Sequence, residues 1–209
     1  MSKTIQQNHY NDMDSVFSNI EHLYSRDEVL SNPCPVTKAN GVYAFFFKEV
    51  PPGVPVEGCF THNGLTLLYI GGSPDKKGKA NAAQTLQQRV RYHFKGNADG
   101  STLRRSLGIL LAKESGYPLR RVGSGKKMTL TNKGEQWLDR WMQENVFVTW
   151  IENDGPWDLE NKLLHSLSLP LNIQGNKHHP YAGLLAQIRS QAIAEAEEAD
   201  IINDNDSRL

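Results

Sequence analysis

From Gly41 onward the chain alternates between two kinds of apolar pattern. Three short unbroken runs, "VYAFFF" over 42–47, "LTLLYI" over 65–70 and "VFVTWI" over 146–151, have the continuity of buried strands. Between and after them apolar residues recur at three- and four-residue spacing. The sets are Leu86, Val90 and Phe94; Leu103, Leu107, Leu110 and Leu111; Trp137, Leu138, Trp141 and Met142; and Leu159, Leu163, Leu164 and Leu167. With a last stretch over 182–199, these spacings predict amphipathic helices. A further short helix is expected over 14–25, carrying Val16, Ile20 and Leu23 behind an Asp14 cap.

Punctuation between the runs agrees with this division. The prolines of "KEVPPGVPVEG" remove donors and fix φ, so the first two strands read as an antiparallel hairpin with an enlarged connection. "KESGYPLRRVGSGKK" reads as a basic loop or hairpin, Asn132 and Glu135 stand in capping-box spacing, and Pro156 suits the first turn of a helix. On the helix through Leu86, Arg89 and His93 fall one turn apart, beside the apolar stripe rather than within it, and Arg104 and Arg105 on the next helix are read as outward-facing.

A length of 209 residues fits one globular unit with added arms. Equal numbers of basic and acidic residues, 23 of each, give no global sign of a polyanionic partner. Their distribution does. Between Lys76 and Lys133 there are fourteen basic residues and two acidic ones, Asp99 and Glu114, while the last fifteen residues are strongly acidic. A basic centre with acidic ends is consistent with a phosphate-binding face. Cys34 and Cys59 have no metal-ligand spacing and suggest no disulfide framework. The polar start has no apolar signal segment and no run approaches membrane-spanning length, so a cytoplasmic location with no membrane partner is the expectation.

"GVY" at 41–43, "YIG" at 69–71, an Arg-x-x-x-His helix, a later helix with Glu160, and "PLN" at 170–172 occur in one order over Gly41 to Asn172. In that order they resemble the GIY-YIG nuclease superfamily, whose members include homing endonucleases, a repair incision subunit and restriction enzymes. The pattern is most similar to the restriction-enzyme-like branch. The resemblance implies an α+β fold with a small, mainly antiparallel three-stranded sheet flanked by helices, with helical arms at both ends. The expected organisation is an N-terminal arm over 1–40, a nuclease domain with basic inserts over 41–180, and a C-terminal helix with acidic tail over 181–209.

The resemblance also implies roles. Tyr43 contacts the attacking water as candidate general base, Tyr69 supports the site, Arg89 stabilises charge growing on the phosphate, Glu160 binds a single divalent cation, Mg²⁺ or Mn²⁺, and Asn172 holds the active-site loops or a nearby phosphate. A free tyrosine, with a pKa near 10, is a poor base unaided, and His93 is the nominated next stop for its proton. Some branches carry that histidine further along, where this chain has "GNADGST" with none. For each residue a plainer reading stands beside the functional one: strand aromatics, a surface arginine, a helix-dipole glutamate and a turn asparagine.

Phosphate contacts independent of sequence are expected from Lys76, Lys77, Lys79, Arg104, Arg105, Arg120, Arg121, Lys126 and Lys127. The leading functional expectation is a metal-dependent DNA endonuclease with a stand-alone catalytic domain. A restriction or mobile-element role is favoured over repair, with a homodimer if both strands are cut. The alternatives are a catalytically inactive DNA-binding protein on the same fold and, more distantly, a protein-interaction module.

Overall fold

The computed structural model describes residues 17, 20–74 and 84–204. The central sheet has five strands rather than the three expected, in the order β1-β7-β2-β4-β3 with antiparallel pairing at each junction. The three expected strands are its middle: β2 (Gly41–Phe47), β4 (Leu65–Ser73) and β7 (Val146–Glu152). The additions are two-residue edge strands. β1 (Tyr24–Ser25) pairs with Phe147 and Val148, and β3 (Thr61–His62) pairs with Leu65 and Thr66. β3 turns into β4 through Asn63 and Gly64, both at positive φ (50° and 76°), as a two-residue hairpin turn requires.

The helix expected over 14–25 is not what residues 20–25 form, and Asp14 and Val16 lie outside the described residues. Ser25 instead caps α1 (Arg26–Leu30) through a capping box with Glu28. The remaining helices are α2 (Leu86–Lys95), α3 (Thr102–Leu110), α4 (Ala112–Ser115), α5 (Asn132–Asn145), α6 (Pro156–Ser166) and α7 (Ala182–Glu198). The basic segment forms the hairpin β5 (Arg120–Val122) and β6 (Lys127–Thr129). Thr131, not Asn132, caps α5, and Glu135 is used elsewhere.

Both sheet faces are covered, which is why β2 is apolar without interruption. Val42, Ala44 and Phe46 belong to one core cluster with Leu163 and Leu164 of α6, whereas Tyr43, Phe45 and Phe47 belong to a larger one with α2, α3 and α5. The pairing of β2 with β4 slips between Phe45 and Phe46, so that Phe46 faces Leu67 while Phe45 faces Tyr69. Leu68 and Tyr69 therefore both join the larger cluster. That bulge brings Tyr69 onto the face that carries Tyr43.

Candidate active site

The expectation that Arg104 faces outward is overturned. Arg104 is 0% exposed, and its guanidinium lies 2.6 Å from Glu135 Oε2 and 2.7 Å from Asp139 Oδ1. It shares the apolar stripe of α3, three residues before Leu107, and is not available to a phosphate backbone. Glu135 also accepts from Ala98 N at 2.7 Å and Thr129 Oγ1 at 2.6 Å, and Arg104 Nη1 donates to Phe94 O at 3.1 Å. One buried carboxylate thus ties together the end of α2, the loop before α3 and the basic hairpin.

His93 also lies inside rather than beside the stripe. With Leu86, Val90 and Phe94 it forms the buried face of α2, at the i, i+4, i+7, i+8 spacing of a helix packed on a sheet. Its Nε2 is 2.9 Å from the Tyr43 hydroxyl and its Nδ1 is 2.8 Å from Ser101 Oγ. The Arg89 guanidinium also hydrogen-bonds the Tyr43 hydroxyl. Since a guanidinium only donates, the Tyr43 oxygen accepts from Arg89 and keeps its own O–H to give, and His93 Nε2 accepts it in the tautomer that carries the imidazole proton on Nδ1. In that tautomer Nδ1–H donates to Ser101 Oγ.

Burial dominates the acid–base behaviour of this pair. It raises the Tyr43 phenol far above the ordinary tyrosine range, aided by Tyr69 and Glu160 and opposed by Arg89. It lowers His93 well below the usual histidine value, with Arg89 and Arg104 acting in the same direction. Both groups are neutral at neutral pH. Tyr69, likewise raised by burial, bonds Thr102 Oγ1 at 2.9 Å.

Glu160 approaches from the opposite side of β4. A Cβ added at Gly72 would stand 2.6 Å from Glu160 Oε2, and one at Gly71 would stand 2.3 Å from the Tyr43 hydroxyl oxygen. The two glycines after Tyr69 therefore make room for two site residues, one on each face. The acid in the first turn of α6 is Asp158, so the helix-dipole explanation offered for Glu160 belongs to its neighbour. Among the described residues no group of three or more His, Cys, Asp or Glu side chains is placed to hold a metal. Glu160 is the one carboxylate among the described residues lining the cleft, and a single carboxylate suits a hard cation that keeps its waters and takes its other oxygens from substrate.

Asn172 is a structural clamp. Its Oδ1 accepts from Ile70 N at 3.0 Å and its Nδ2 donates to Ile70 O at 2.9 Å, so one side chain completes the backbone pairing of β4 where β3 has ended. Both ends of its amide are spent on a strand, neither on a loop nor on an open phosphate position.

Tyr69, Gly72, Arg89, Glu160 and Asn172 line one cleft of about 810 Å³, with Tyr43 and His93 buried behind it. The cleft also receives residues that the sequence did not single out: Thr102, Trp157, Lys177 and Arg189. Thr102 and Ser101 stand in a stretch read only as a helix cap, although hydroxyls one turn from a histidine helix were a usable signal. Of the expected phosphate contacts, Lys126 and Lys127 are exposed at the hairpin tip and Arg120 is half-buried. Arg105 is held by Ala98 O and Asp99, and Arg121 by Ala196 O and Ala199 O. Lys76, Lys77 and Lys79 lie outside the described residues.

The structure thus combines a mixed fold with an antiparallel sheet, two tyrosines on adjacent strands, and arginine, histidine and glutamate about one cleft. The family model for the GIY-YIG catalytic domain matches residues 41–191, and the chain belongs to that family. Its class of activity is that of a nuclease. No curated protein and no solved structure matches the chain significantly. No helix among the described residues is long and apolar enough to cross a membrane.

Proposed function

We propose that the protein is a metal-dependent endonuclease that hydrolyses DNA phosphodiester bonds in the cleft between Arg89 and Glu160. The observation that carries the reading is the buried relay from Tyr43 through His93 to Ser101, at 2.9 and 2.8 Å. Neither a strand aromatic nor a core histidine needs that arrangement beside an arginine and a carboxylate.

In this reading a water oxygen bonds to phosphorus, its proton passes to the Tyr43 oxygen, and the Tyr43 proton passes to His93 Nε2. The bond from phosphorus to the leaving oxygen breaks. Because Tyr43 has a raised pKa and His93 a lowered one, a free phenolate and a free imidazolium are both unfavourable. The transfers are coupled, and the anionic phosphate supplies the counter-charge that the imidazolium lacks. Arg89 then has two roles: its fork contacts the phosphate as negative charge grows, and its donation to Tyr43 keeps that hydroxyl aimed at His93.

Glu160 would hold a divalent cation, Mg²⁺ or Mn²⁺, whose chemistry is to polarise the phosphate and neutralise the departing oxygen. Tyr69 is held by Thr102 and forms the cleft wall. Asn172 fixes the strand end from which Gly71 and Gly72 project.

The test is nicking and linearisation of supercoiled plasmid with Mg²⁺, Mn²⁺ or EDTA, using the wild type and Glu160→Gln. Metal-dependent cleavage that disappears in the variant, with DNA binding retained, is expected. Folded wild-type protein that binds DNA but cuts nothing under any of these conditions would sink the nuclease reading in favour of an inactive DNA-binding protein.

A further inference from the structure

Arg189 lies on α7, beyond Asn172, the last motif residue read from the sequence, and it lines the same cleft as Arg89 and Glu160. Its surroundings are unusual for a half-buried guanidinium. Among the described residues its one hydrogen bond is from Nη1 to Ser106 Oγ, at the long distance of 3.5 Å. No carboxylate pairs with it in the described part of the chain. By contrast, Arg91, Arg104, Arg105 and Arg121 spend their donors on backbone carbonyls or carboxylates.

A guanidinium has five N–H donors, and most of those on Arg189 are left for solvent or for an anion entering the cleft. The cleft has the corresponding imbalance. Arg89, Lys177 and Arg189 line it against one carboxylate, Glu160. Burial and the nearby Arg105 charge both act against the protonated form of Arg189, the direction an approaching anion reverses.

Position narrows the anion. Ser106, which touches Arg189, is four residues after Thr102, which bonds Tyr69, and both are on α3. Four residues of helix cover about 6 Å along the axis. Arg189 therefore meets α3 about one helical turn from where Tyr69 does, and both line the same cleft.

We propose that Arg189 binds a backbone phosphate of the DNA strand other than the one held by Arg89. This rests on the cleft being a nucleic-acid site but not on the site being catalytically active. Arg189 is thus a substrate-binding residue supplied by the C-terminal helix. It fixes the strand at a second point in the cleft that Arg89 and Glu160 line.

The test measures binding without cleavage. Glu160→Gln protein is titrated onto a fluorescently labelled 20-base-pair duplex between 50 and 200 mM NaCl. Arg189→Gln, Arg189→Lys and, as an exposed control on α5, Arg140→Gln are added in that background. Removing one phosphate contact reduces the slope of log K against log salt by about 0.9. Arg189→Gln is expected to show that reduction and about tenfold weaker binding at 50 mM salt. Arg189→Lys should recover the slope but only part of the affinity, because the fork is lost and the charge kept, and Arg140→Gln should change neither.

An unchanged slope and affinity in folded Arg189→Gln protein overturns the proposal, as does a melting-temperature loss in Arg189→Gln that Arg189→Lys repairs without any change in slope. Failure of the Glu160→Gln parent to bind the duplex at 50 mM salt removes the nucleic-acid reading of the cleft as well. Wild-type protein that binds but does not cut removes only the nuclease reading and leaves Arg189 standing.

Discussion

Gly71→Ala tests the Tyr43 assignment with a single methyl group. Gly71 is directly opposite Tyr43 across the β2–β4 pair, and its φ is outside the left-handed region, so the backbone accepts alanine without strain. The obstacle is the Tyr43 hydroxyl, 2.3 Å from the position of the new Cβ where ordinary contact begins at 3.4 Å. The hydroxyl must therefore retreat by about 1.1 Å, the difference between those two distances. It has little space to do so, with His93 Nε2 at 2.9 Å and the Phe45 ring packed edge-on at 5.7 Å between centroids.

Overpacking of this kind costs about 1–3 kcal/mol of stability. A 1 Å misplacement of a reacting group costs about 10²-fold in rate, equivalent to about 2.7 kcal/mol of transition-state stabilisation. The assay is plasmid nicking under single-turnover conditions, with thermal melting and duplex binding measured on the same preparations. The expected protein is folded, binds DNA as the wild type does and cuts about a hundredfold more slowly. Gly183→Ala is the matched control: it lies exposed in α7 with no atom within 4 Å of an added Cβ, so cutting should not change. Gly71→Ala protein that cuts at the wild-type rate would refute the claim that the position of the Tyr43 hydroxyl matters.

Three further outcomes follow from the same geometry. Since the folded state lowers the His93 pKa, the unfolded chain binds the extra proton first as pH falls. The stability from keeping His93 neutral is complete above about pH 6.5 and is lost below it, toward the depressed folded pKa, at up to about 1.4 kcal/mol per pH unit. Denaturant melts from pH 7.5 to 5.5 should show that slope in the wild type and a flatter one in His93→Gln; equal slopes would count against the burial argument. Arg104→Met leaves Glu135 and Asp139 without their buried cation and should cost about 3–5 kcal/mol in urea unfolding; a loss below about 1 kcal/mol would mean that the network is not effectively buried. Asn172→Ala strips both partners from Ile70 and should cost about 2 kcal/mol, together with cleavage, and the assignment of Asn172 as a strand clamp fails if hydrogen exchange at the Ile70 amide is unchanged.

The sequence was informative where chemistry and periodicity coincided. Tyr43, Tyr69, Arg89 and Glu160 stood in recognisable order, and α2, α3, α5, α6 and α7 followed from their apolar spacing. Two features were legible but misread. His93 sits at the i+7 position from Leu86 on the buried face, and Arg104 lies three residues before Leu107 on the buried face of α3. The sequence reading sets His93 beside the stripe and Arg104 facing outward because polar residues are usually outside, although the spacing favours burial of both.

Other features depend on contacts between distant segments. Nothing local tells Arg104 that Glu135 will meet it 31 residues later, or Asn172 that it will pair with Ile70 across 102 residues. The bulge at Leu68 is similar: the run "LTLLYI" gives no sign of where its alternation slips, yet that slip decides which face Tyr69 occupies. Arg189 was passed over because an arginine in an amphipathic helix is unremarkable until α7 is seen against the cleft.

The margins of the sheet limit how two copies can assemble. One outer strand, β1, is two residues long, and so is the other, β3. Past β3, the open side of β4 is occupied by Phe60 O on Leu67 N, Leu171 N on Leu68 O and the Asn172 amide on Ile70. On that side little ladder remains for a second chain to extend, so β4 is protected from joining edge to edge into a continuous sheet. If cutting both strands of a duplex brings two copies together, the β4 side of the sheet offers them little strand to pair with.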